Sequence, residues 1–125
     1  MGKEMDKTAL FTWLDQRFST KPEYLFKKHP EYAVFRHLKN KKWYALYMEV
    51  YPSVFNIDKQ ETWPILNVKL NPELIELLRL QPGYYPAYHM NKNYWLSIHL
   101  TAITLEELIP LIEESYYLTM EKRKK

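Results

Sequence analysis

A chain of 125 residues, 46% hydrophobic and 26% charged, has room for one packed core and is too apolar to remain unfolded. It holds no cysteine, which excludes disulfides and thiolate metal sites and fits a reducing compartment, so the expected location is the cytoplasm. Its net charge of +3 is polarised. Lys21, Lys27, Lys28, Arg36, Lys39, Lys41 and Lys42 outnumber Glu23 and Glu31 over residues 21–42, whereas residues 104–121 carry Glu106, Glu107, Glu113, Glu114 and Glu121 and no basic residue. A polyanion would therefore meet one side only.

Residues 6–19 predict an amphipathic helix with Asp6 as N-cap and Leu10, Leu14 and Phe18 on one stripe. Lys21-Pro22 should end it, because the residue before proline avoids the helical region. Tyr24-Leu25-Phe26 is weighed as an extra short strand. Residues 32–38 and 43–50 are rich in strand formers and predict a hairpin, with Asn40 suited to the positive φ of its turn. Strict alternation puts Tyr44, Leu46, Met48 and Val50 on one face and Trp43, Ala45, Tyr47 and Glu49 on the other. A loop over 51–64 leads to a strand at 65–70.

The second helix is bounded by Asn71 as cap, Pro72 at its first position and Gly83 after its stop. Trp95-Leu96-Ser97-Ile98-His99 alternates like a strand. Thr104 and Glu107 form a capping box for the last helix, which Pro110 should kink or force to restart. The basic segment Lys122-Arg123-Lys124-Lys125 then follows as a tail. The expectation is a single domain spanning 1–125, of α+β class, with an antiparallel sheet, helices largely on one face and the order α-β-β-β-α-β-α. No apolar run is long enough to span a membrane, the polar start is no signal peptide, and Asp6 spoils a myristoylation motif, so no membrane partner is expected.

Three blocks carry a family resemblance. They are Ala33–His37 with Lys42–Leu46, then Leu66–Leu74, then Pro86–Trp95 with its Tyr-His-Met-Asn-Lys run; Ser115-Tyr116 also fits. Together they resemble the MmcQ/YjbR family from Trp13 onward. Ala87, Asn93-Tyr94 and Pro110 depart from its usual pattern. The resemblance implies a compact α+β domain similar to CyaY-like or secretion-chaperone-like folds, and a DNA-binding label that rests on fold analogy.

On the residues themselves, strand alternation groups Trp95, Ser97 and His99 with Asn67 and Lys69, and with Trp43, Tyr47 and Arg36. Aromatics there could stack on bases while Lys69 and Arg36 neutralise phosphates. Packing beneath a helix that covers this face is the favoured explanation for these rings. In the loop, His89, Asn91 and Lys92 suit an anion or a base edge, or else satisfy backbone groups. Lys39, Lys41 and Lys42 suit a DNA-contacting wing, although such a turn more often discourages strand pairing.

No nucleophile elbow, glycine-rich phosphate loop, paired-carboxylate site or close-spaced histidine ligand pair is present in the sequence, so neither an enzyme nor a cofactor is expected. The leading expectation is a non-catalytic binding domain that contacts DNA through Arg36, Lys39, Lys41, Lys42, Lys69, His89, Asn91, Lys92 and Trp95. The alternative is a protein-interaction, self-associating or small-ligand module that uses Tyr84, Tyr85, Tyr88 and Tyr94.

Overall fold

The computed structural model describes residues 5–120, so the basic tail Lys122–Lys125 lies outside the described residues. Within them the order is α1 (Lys7–Phe18), β1 (Ala33–Arg36), β2 (Trp43–Val50), β3 (Trp63–Lys69), α2 (Pro72–Leu78), β4 (Tyr84–Pro86), β5 (Trp95–His99) and α3 (Leu105–Leu118). The strands form one antiparallel sheet in the order β1-β2-β3-β5-β4. This is the expected α+β architecture with β4 added. A three-residue strand containing Pro86 has too little alternation to announce itself.

Each helix begins where its capping chemistry places it. The Asp6 carboxylate accepts from the Ala9 N–H at 2.7 Å and Asn71 accepts from the Glu73 N–H at 3.0 Å. At α3, Thr104 and Glu107 exchange backbone-to-side-chain bonds of 3.1 and 3.2 Å, completing the capping box. α3 runs through exposed Pro110 as one helix and does not restart there. The proline removes one backbone donor, and burial of Leu108 and Ile112 on either side offsets that loss. The Tyr24–Phe26 strand is not formed. In its place Glu23 alone bridges Val34, with mutual N–H to carbonyl distances of 2.9 and 2.8 Å along the outer rim of β1.

Side-chain alternation along β2 is broken once. Phe35 pairs with Ala45, but Arg36 pairs with Trp43, leaving Tyr44 as an extra residue in a bulge. The bulge turns Tyr44 toward the helices, where its ring meets Phe18 at 5.6 Å and Tyr116 at 4.9 Å. Tyr44 therefore leaves the face of Leu46, Met48 and Val50 on which strict alternation had put it.

The main core lies between sheet and helices and contains Leu10, Leu14, Phe35, Tyr47, Leu66, Ile75, Ile98 and Ile112. All three helices contribute to it, as expected. A second cluster on the opposite face joins Val34, Leu46, Met48 and Ile65 to Phe26, Phe55, Trp63, Tyr88 and Met90. That face is thus covered by connecting segments and not by the helix expected there, because the apolar stripes of all three helices are buried in the main core. Gly83 precedes β4 at φ 93, a left-handed conformation that a side chain resists, and a Cβ there would lie 3.1 Å from the Ala102 Cβ.

A candidate polyanion-contacting end of the sheet

Strand register decides which candidate residues can act together. Ala45 lies opposite Val68, which lies opposite Leu96, so the start of β2, the end of β3 and the start of β5 share one end of the sheet. The 37–42 turn, Lys69 and the 91–95 turn all sit at that end. β2 and β5 are two strand spacings apart, about 10 Å. This brings Lys39, Lys41 and Lys42 to the same edge as Lys69, Lys92 and Trp95.

The 37–42 turn is held by its own backbone and by α3. The Lys41 N–H donates to the His37 carbonyl at 3.0 Å and the His37 N–H donates to the Lys42 carbonyl at 2.9 Å. Lys41, not Asn40, takes the positive φ of 67°. Asn40 serves differently: its Oδ1 accepts from the Lys42 N–H at 2.9 Å and its Nδ2 donates to the Thr119 carbonyl at 3.0 Å. Lys39, Lys41 and Lys42 are left exposed.

Arg36 is already engaged. Its guanidinium binds both oxygens of Glu23, at 2.7 and 2.8 Å, in the planar two-pronged geometry that suits arginine and carboxylate. The Arg36 hydrogen bonds hold the Glu23 carboxyl below its usual range, with Lys41 adding a smaller pull. A phosphate at this end would have to compete with Glu23 for Arg36.

In the 86–95 loop the polar side chains divide between support and exposure. Asn91 Oδ1 accepts from the Asn93 N–H at 2.8 Å and its carbonyl accepts from the Trp95 N–H at 2.9 Å, so Asn91 shapes the turn. His89 is exposed at φ 68, its ring 3.9 Å from that of Tyr88. Lys92 is exposed and has no side-chain hydrogen bond or ion pair among the described residues.

Trp95, Ser97 and His99 do share a face with Asn67 and Lys69, since Lys69 pairs with Trp95 and Asn67 with Ser97. Tyr47 does not join them, because it lies in the core under the helices beside Phe11, 5.3 Å between ring centres. The shared face is not an open stacking platform either. Asn67 and Ser97 are fully buried. Ser97 Oγ donates to Asn67 Oδ1 and accepts from the Tyr88 N–H at 3.0 Å, while Asn67 Nδ2 donates to the Tyr88 carbonyl at 2.8 Å. This network pins the 86–90 loop across the middle of the face.

Farther along, Trp63 stacks on His99 at 3.8 Å and Phe55 stacks on Tyr85 at 4.7 Å. Burial lowers the His99 pKa, which favours the neutral ring there. The sequence reading missed Phe55 and its neighbours. Pro52–Phe55 forms a one-turn 3-10 helix that Asn56 ends at φ 65. The proline and the left-handed Asn were the available signal.

Among the described residues, no three His, Asp or Glu gather as metal ligands, and no helix is long and apolar enough to cross a membrane.

These features define a small α+β domain whose five-stranded antiparallel sheet packs three helices on one face and loops on the other. The chain belongs to the YjbR family, whose model matches residues 18–118. It is 40% identical over 116 residues to the uncharacterised protein YyaQ of Bacillus subtilis (strain 168), covering 92% of this chain and 98% of that one. It is 33% identical over 90 residues to the uncharacterised protein YjbR of Escherichia coli (strain K12), covering 66% and 76% respectively. A crystal structure from Pseudomonas syringae superposes with a TM-score of 0.89 at 38% identity, over 93% of this chain and all of that one. A Deinococcus radiodurans protein of the DUF419 domain gives 0.72 at 25% identity, over 100% and 86%.

Proposed function

We propose that this protein is a non-catalytic binding domain that contacts DNA through the lysine-bearing end of its sheet. The carrying observation is the register that sets the 37–42 turn beside Lys69 and the Lys92 turn. Five flexible ammonium groups on one edge suit phosphate neutralisation, and phosphate contacts position a protein without reading sequence. Base stacking on the sheet face forms no part of the reading, because Asn67 and Ser97 are sealed beneath the loop. Nor does Arg36 act as a free phosphate ligand while Glu23 holds it.

Fluorescence anisotropy with a labelled duplex at about 50 mM salt tests this, since counterion release makes such contacts strongest there. Weak, sequence-indifferent binding is expected, lost in the triple variant Lys41→Glu, Lys42→Glu, Lys92→Glu. A duplex that fails to bind at that salt, or binds the triple variant equally well, removes the proposal.

A protein-interaction role is the second reading, favoured by Leu77 and Leu80, which stand 64% and 80% exposed at the end of α2. Sedimentation of the wild type against Leu77→Lys, Leu80→Lys would show whether that patch joins copies of the chain.

A further inference from the structure

A cleft of about 190 Å³ opens between the 52–56 turn and the 86–92 loop, on the loop-covered side of the sheet. We propose that it binds a small planar aromatic anion. The ring would lie among Phe55, Pro86 and Tyr88, with its carboxylate or phosphate on Lys92.

The walls are preformed. Tyr88 is held by backbone bonds to Ser97 and Asn67, both fully buried, so that wall rests on a satisfied polar network. On the other side the Asn56 N–H closes the one-turn helix onto the Pro52 and Ser53 carbonyls. Phe55 stacks on Tyr85, which in turn meets Trp63 at 5.8 Å. Preorganised walls spare a ligand the entropy of ordering them.

The lining chemistry selects the ligand class. Phe55, Pro86, Ala87 and Tyr88 offer apolar and aromatic surface, whereas Asn56 and Lys92 are the polar members and no carboxylate lines the cleft. Neither the Asn56 amide nor the Lys92 ammonium has a side-chain partner among the described residues. Flat apolar walls with one cation and one amide at the rim suit a planar ring carrying one negative charge. The volume is below the ~300–1,000 Å³ of drug-sized pockets, which points to one or two fused rings.

This inference goes beyond DNA contact and shares only Lys92 with it. Benzoate, benzamide and cyclohexanecarboxylate, titrated into the whole protein and followed by amide NMR shifts, provide the test. Benzoate should move the Phe55, Asn56 and Tyr88 signals at millimolar concentration, with benzamide and cyclohexanecarboxylate each at least about fivefold weaker. Lys92→Ala should erase the preference of benzoate over benzamide, and Phe55→Leu should weaken benzoate while leaving duplex binding unchanged. Equal binding of acid and amide, no shifts in the cleft, or indifference to Lys92→Ala overturns the proposal. Because Phe55 lies outside the lysine edge, loss of either reading leaves the other standing.

Discussion

His37 Nε2 lies 2.8 Å from the Thr119 hydroxyl, joining the turn after β1 to the last turn of α3 across 82 positions of sequence. With the hydroxyl proton on the Ser115 carbonyl, 2.8 Å away, the imidazole donates to the hydroxyl through Nε2–H; the opposite tautomer reverses that bond. His37 is buried against Tyr44 and Tyr116, and that burial lowers its pKa. Replacing it by alanine should cost about 1–3 kcal/mol, because a cavity opens and the Asn40–Thr119 contact loses its neighbour. Urea unfolding measures this directly.

The same histidine makes stability pH-dependent in a definite direction. Its folded pKa lies below the ordinary 6.5, so the unfolded chain takes up protons first on acidification. Its stabilising contribution is whole above 6.5, shrinks as pH falls below that value, and levels off beneath the folded pKa. His99 acts in the same sense. Unfolding at pH 7.5 and at pH 5 should show lower stability in acid, with a smaller difference in His37→Gln.

Ser97→Ala should loosen the 86–90 loop more than its single lost oxygen suggests. It leaves the Tyr88 N–H and the Asn67 amide oxygen without their shared partner in a fully buried place. A cost of about 1–3 kcal/mol is expected, with faster hydrogen exchange at Tyr88. Unchanged exchange at Tyr88 would mean that the loop is held by apolar contacts instead.

Arg36→Gln should return the Glu23 carboxyl toward its ordinary 4.5, since its hydrogen bonds to Arg36 are the main cause of the depression. Carbon-detected NMR titration of that side chain would show the rise. Charge reversal at Lys41 should move it by less.

Gly83→Ala should destabilise by at least about 1 kcal/mol, because alanine resists φ 93 and its methyl would crowd Ala102. A lowered Tm with an unchanged fold is the expected result.

Capping residues made the helices legible: Asp6, Asn71, Thr104 and Glu107 each mark a start through a local hydrogen bond that sequence spacing encodes. The shared face of Trp95, Ser97 and Asn67 was readable for a similar reason, since strand alternation is a two-residue rule. Tyr44 was not, because a bulge is set by the partner strand's register and leaves no composition signal. β4 was hidden by its length. That the second face is covered was the favoured expectation, but the cover was expected to be a helix; three distant loops fold back over it instead, a tertiary matter that local pattern does not carry. For the same reason Arg36 looked available for phosphate, although Glu23 faces it only once the chain doubles back.

The Glu23 bridge bears on how copies of this chain can meet. A bare strand rim invites another strand to zip onto it. Here one rim has its Val34 amide and carbonyl already occupied, and at the other the edge strand β4 is three residues long and ends in Pro86, which has no N–H to offer. Neither border offers a long template for templated growth, so crowding should drive any assembly through side-chain patches, where a single charge reversal can dissolve it.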